Sequence, residues 1–106
     1  MANFQIKNGV AIIPEGTTEI PNRAFRDCKE LTTVVIPEGV TSIGESAFYQ
    51  CSALTSITIP ESVTSIEEST FEDCSALKTI YVPAGKVGYF KGRLPKELRD
   101  KIVEME

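Results

Sequence analysis

The stretch Leu54-Thr-Ser-Ile57-Thr-Ile59-Pro60-Glu-Ser-Val63-Thr-Ser-Ile66, running on through Phe71 and Cys74 to Leu77, decides the fold. Its apolar positions read L-x-x-I-x-I-P-x-x-V-x-x-I, then F-x-x-C-x-x-L. Ile57 and Ile59 flank Thr58 with the two-residue period of a short strand buried on one face. Pro60 has no N–H to add to a central ladder, so the strand stops there. Val63 and Ile66 stand three apart among polar residues and fit a turning segment that meets the core twice. Ser65 and Glu68 match the S-x-x-E capping box, as do Ser42 and Glu45, which predicts about two turns of helix ending near each cysteine. The position after the core isoleucine is Pro21, Gly44 or Glu67, and a glutamate there argues against an obligatory positive φ.

Working outward, the same pattern returns every 23 residues. Phe25, Phe48 and Phe71 form one ladder; Cys28, Cys51 and Cys74 form another. Ile20, Ile43 and Ile66 and then Leu31, Leu54 and Leu77 keep the same spacing, and Pro14, Pro37, Pro60 and Pro83 add a fourth copy. A unit this short cannot bury its own apolar side, whereas stacked units share one continuous core. The predicted organisation is a single domain over 1–106, with an N-terminal strand or cap (1–10), repeats at 11–33, 34–56 and 57–79, and a partial repeat with a C-terminal cap (80–106).

Two units carry a family likeness. They read V-V-I-P-E-G-V-T-S-I-G-E-S-A-F-Y-Q-C-S-A-L from Val34 and I-T-I-P-E-S-V-T-S-I-E-E-S-T-F-E-D-C-S-A-L from Ile57. Both resemble the leucine-rich repeats of the BspA-like class, found in bacterial and some protist proteins. Residues 11–33 fit with defects: Thr17 for a valine, Pro21 for a glycine, Lys29-Glu30 for Ser-Ala. Ile80 to Lys91 looks like a closing segment, so the resemblance covers roughly residues 10–92. It implies an α/β, β-rich solenoid of right-handed sense, with parallel strands on a concave face and short helices or turns on the convex face. It also implies an interaction module with no chemistry, since the family includes surface proteins implicated in adhesion and protein binding.

Composition narrows the function classes. Histidine and tryptophan are absent, which removes the commonest general base and metal ligand and any Ser-His or Cys-His nucleophile. No catalytic residue, cofactor or metal is therefore expected. The net charge of −4 disfavours general nucleic-acid binding. That charge is unevenly spread: residues 34–77 hold seven acids and no base, while 78–106 hold seven bases and four acids. Three cysteines, an odd count without a C-x-x-C pair, argue against a disulfide framework or a zinc site. Apolar runs are too short to span a membrane. The N-terminus lacks the charged and apolar regions of a signal peptide, so the chain reads as cytoplasmic as it stands, and as surface-exposed or secreted if a leader precedes it.

Both ends of a solenoid need covering. Pro95 to Met105 predicts a helix with Leu94, Leu98, Ile102 and Met105 on one face, forming a lid. Phe4-Gln-Ile6 and Val10, joined through Asn8-Gly9, predict a β-hairpin.

The candidate binding stripe follows from strand alternation. Ile12, Val35, Thr58 and Tyr81 occupy the central outward position of successive strands, with Tyr81 as an aromatic anchor and Lys78 at the margin. The expected partner is a protein. The alternatives are self-assembly, with copies stacking end to end or edge to edge, and a surface adhesin fragment. Three further clusters read as structural. The cysteine ladder fits small core residues. Gly85 to Arg93 fits a capping loop whose Tyr89 and Phe90 cover the core. Glu67, Glu68, Glu72 and Asp73 fit a solvated face.

Overall fold

The computed structural model describes residues 4–105. Among these residues, nine short strands build two sheets. β1 (Gln5–Lys7) and β2 (Val10–Ile12) form an antiparallel hairpin, pairing Gln5 with Ile12 and Lys7 with Val10. Asn8 and Gly9 make its turn at φ 53° and 81°, the two positive angles that a two-residue hairpin loop of type I′ demands. Gly9 is required for space as well, because a Cβ there would lie 2.5 Å from Thr32 Oγ1.

β4 (Thr33–Val35), β6 (Ser56–Thr58) and β8 (Thr79–Val82) continue the sheet in parallel. Their register steps by 23 residues: Val34 sits beside Ile57 and Ile57 beside Ile80. Those residues point into the core with almost no exposure, so the two-residue alternation read from the sequence holds. A second parallel sheet joins β3 (Glu19–Ile20), β5 (Ser42–Ile43) and β7 (Ser65–Ile66), which bury Ile20, Ile43 and Ile66.

This second sheet corrects the expectation of convex helices. Ser42 and Ser65 are strand residues and cap nothing. The segment that follows each strand is a chain of four-residue turns, such as Tyr49 N–H to Ser46 O (3.1 Å) and Cys51 N–H to Phe48 O (3.2 Å). The N–H groups in between bond sideways to the next copy: Phe48 to Thr70 O (3.0 Å) and Gln50 to Glu72 O (3.0 Å). Left-handed residues at Ser46 and Gln50 enforce the alternation. A helix this short is costly to nucleate alone, and the neighbouring copy supplies partners that a helix would forgo.

Gly44 has no positive φ, as the glutamate at 67 required. Its role is close approach: a Cβ would lie 2.6 Å from Asn22 N and 2.9 Å from Asn22 Cα. Asn22 stands in for strand pairing there, its Oδ1 accepting from Glu45 N–H at 2.8 Å.

The core is laddered. The rings of Phe4, Phe25, Phe48 and Phe71 stack with centroids 5.2–5.6 Å apart. Cys51 and Cys74 are buried, and each thiol donates to the Phe carbonyl of the preceding copy, at 3.0 Å to Phe25 O and 2.9 Å to Phe48 O. Burial pushes the Cys51 thiol up to about 12 and the Cys74 thiol up to about 11. Thr70, also fully buried, donates to Gly44 O at 3.1 Å.

The C-terminal end also departs from expectation. The helix lies earlier, as α1 (Val87–Arg93), and buries Phe90. Leu94 adopts the extended conformation that a following proline favours, which ends α1. A 3₁₀ turn (Lys96–Lys101) then buries Leu98. Residues 102–104 form β9 (Ile102–Glu104), parallel to β8 with Tyr81 beside Val103. The i, i+4 spacing of Leu94, Leu98 and Ile102 thus spans a turn and a strand. The β-branched pair Ile102-Val103 completes the otherwise bare edge of β8.

Candidate binding surface

The six-stranded sheet, in the order β1-β2-β4-β6-β8-β9, turns one side to the core and one outward. On the outward side Val35, Thr58, Tyr81 and Val103 are direct neighbours in register, and Ile12 holds the same place in β2. Val35 is 57% exposed, Ile12 and Val103 44%, and Tyr81 38%; with Val10 they are the large apolar side chains most open to solvent among the described residues. The structure therefore places four of the five expected stripe residues in one row and adds Val103. The fifth, Lys78, lies beside the row. It follows Thr32 and Thr55, whose hydroxyls donate to Gly9 O (3.0 Å) and Thr32 O (3.1 Å). At Lys78 only the backbone N–H continues this pattern, bonding Thr55 O at 2.9 Å, and the side chain is exposed.

Along the other margin each strand ends in the proline ladder, followed by Glu15, Glu38 and Glu61, all exposed. A groove of about 300 Å³ opens there, lined by Glu38, Pro60, Glu61, Pro83, Ala84 and Met105. The turn beneath it is tied down, with Gly39 N–H donating to Ser62 Oγ (3.0 Å) and Ser62 Oγ donating to Val40 O (2.8 Å).

The closing segment is taken up by structure, while Glu67, Glu68, Glu72 and Asp73 are exposed. Tyr89 donates to Thr64 O at 2.6 Å, continuing a hydroxyl ladder in which Thr41 bonds Thr18 O and Thr64 bonds Thr41 O. Arg93 lies over the Tyr89 ring at 5.4 Å, and Phe90 is buried. Among the described residues no group of His, Cys, Asp and Glu is arranged to hold a metal ion. No helix among them is long and apolar enough to cross a membrane.

The model of the BspA type leucine rich repeat region (6 copies) matches residues 3–93. The chain belongs to this family. Two solved structures share its fold. One is a leucine rich cell surface protein from Faecalibacterium prausnitzii A2-165, 42% identical over 70% of this chain with a TM-score of 0.64. The other is a leucine-rich repeat protein from Bacteroides ovatus ATCC 8483, 25% identical over 76% of the chain with a TM-score of 0.54. The matched region spans 19% of the first and 29% of the second. Comparison with curated protein sequences found no match.

Two parts of the surface escaped the sequence reading. Val103 falls within the stretch whose spacing predicts a helix; the signals for a strand are its β-branched neighbour Ile102 and the open edge of β8. Glu38 and Glu61 were visible as a 23-residue pair after Pro37 and Pro60. Their relation to the groove needed the coordinates.

Proposed function

We propose that this BspA-type repeat chain is a non-catalytic protein-binding module whose partner lies on the outward face of the six-stranded sheet, on Ile12, Val35, Thr58, Tyr81 and Val103, with Lys78 at the margin. The observation that carries this reading is a row of outward side chains in strict register, exposed and apolar at Ile12, Val35, Tyr81 and Val103 with the half-exposed Thr58 between, on a face with no internal partner among the described residues. Tyr81 supplies the large amphipathic side chain on which interface energy concentrates. The absence of histidine and the upward shift of the Cys51 and Cys74 thiols, which keeps them from acting as thiolates, support a role without catalysis. The family match and the cell-surface neighbour favour a surface-type interaction module over a soluble enzyme.

The test is quantitative capture from lysate with wild-type chain and with the Val35→Ser/Tyr81→Ala double variant. Partners bound by this face disappear from the variant's capture while its melting curve stays unchanged. Identical capture by both would reject the reading.

Self-assembly is the second reading. It is favoured by the strands at the two ends of the large sheet, β1 and β9, each paired on one side. It predicts a mass that rises with concentration in light scattering.

A further inference from the structure

The sheet face has a chemical polarity that narrows what it accepts. Its outward row crosses five strands, apolar on four and carrying Thr58 on β6, a span of about 19 Å at the usual strand spacing. That is short for a standard protein–protein patch of about 800 Å² per side. It matches one extended segment of about six residues.

The proline margin beside the row is acidic. Glu15, Glu38 and Glu61 follow one another at 23-residue intervals, all exposed, and none forms an ion pair among the described residues. Stacked copies bring these like charges close together. At the next position Ala84 replaces glutamate and the row ends. Glu104 turns in beside it, its carboxylate accepting from Gly85 N–H at 2.7 Å. The groove is thus lined by the exposed Glu38 and Glu61 together with the buried Pro60 and Pro83 and the half-buried Met105. A lysine or arginine fits both features: its methylenes cover the apolar lining and its cationic head reaches the carboxylates. An acidic or neutral segment would bring those carboxylates out of water without compensation.

We propose that the occupant of this face is an extended apolar segment of a partner protein bearing lysine or arginine, one cationic side chain of which lies in the groove between Glu38 and Glu61. The proposal rests on the reading of the sheet face as the binding surface.

The test is selection of a displayed random short-peptide library against the full chain, followed by binding assays on the recovered peptides. The recovered peptides combine apolar residues with lysine or arginine. Their binding weakens roughly tenfold or more with Glu38→Gln/Glu61→Gln. It weakens likewise in about 1 M NaCl, where charges are screened within about 3 Å. Both glutamates are exposed, so the variant's melting curve matches wild type.

Peptides that depend on Val35 and Tyr81 yet carry no basic bias, or ignore the glutamate variant, overturn the cationic occupant and leave the sheet-face reading standing. Basic peptides that ignore Val35→Ser/Tyr81→Ala show that the sheet-face reading itself has failed. A concentration-dependent mass that Glu38→Gln/Glu61→Gln abolishes identifies a second copy as the occupant and overturns the proposal.

Discussion

The two walls of this molecule are built from the same 23-residue period yet use their side chains in opposite ways. In the large sheet, backbone pairs with backbone, and the outward residues of β2, β4, β6, β8 and β9 are released from structural duty. They vary accordingly: Ile12, Val35, Thr58, Tyr81, Val103. In the turn-rich wall, side chains complete the backbone's hydrogen bonding. Cys51 and Cys74 serve Phe carbonyls, Thr70 serves Gly44, and Asn22 serves Glu45. A repeat protein can change its specificity on the first wall at small cost to folding; on the second, most changes are felt as stability.

The largest expected effect strikes the shared core. Phe48 stacks between Phe25 and Phe71, so Phe48→Ala should lower stability by about 3–5 kcal/mol, read as a shifted urea midpoint. Next comes the turn-rich wall. Gly44→Ala forces a methyl against the Asn22 backbone and should cost about 1–3 kcal/mol in the same assay.

Alkaline pH probes the thiol ladder. The folded pKa values of about 12 for Cys51 and about 11 for Cys74 lie above the ordinary 9.0. The folded state therefore binds protons more tightly, and the thiols' contribution is complete below pH 9. It is lost as pH climbs through the folded values. Melting temperatures measured across this range should fall less steeply for Cys51→Ala/Cys74→Ala than for wild type.

Gln50 holds a left-handed φ of 56°, so Gln50→Gly should stabilise the chain by about 0.5–1 kcal/mol. The smallest effect belongs to the large sheet: Val35→Ser, with the side chain 57% exposed, should change stability by less than about 1 kcal/mol. A large loss of stability there would erase the contrast between the walls.

The same contrast explains what could be read in advance. Strand alternation around Ile57 and Ile80 is a local property, and it located the sheet and four members of its exposed row. The Asn8-Gly9 turn is equally local, and the N-terminal hairpin follows from it. The turn-rich wall was misread because its deciding partners sit in the next copy: Ser42 and Glu45 satisfy a helix-capping pattern, and only the carbonyls of Thr70 and Glu72 beside Phe48 and Gln50 make turns the better solution. β9 failed for a related reason. Leu94, Leu98 and Ile102 carry a helical spacing, and the free edge of β8 outweighs it. Phe4 joins the ring stack from outside the 23-residue register, since it lies 21 residues before Phe25.

The most direct test of the contrast is site-specific photo-crosslinking, with a benzophenone side chain at position 35 on the outward sheet face or at position 68 on the turn-rich wall. The account predicts a discrete partner adduct from position 35 and none from position 68. Adducts from position 68 with none from position 35 would contradict it and move the binding surface to the opposite wall.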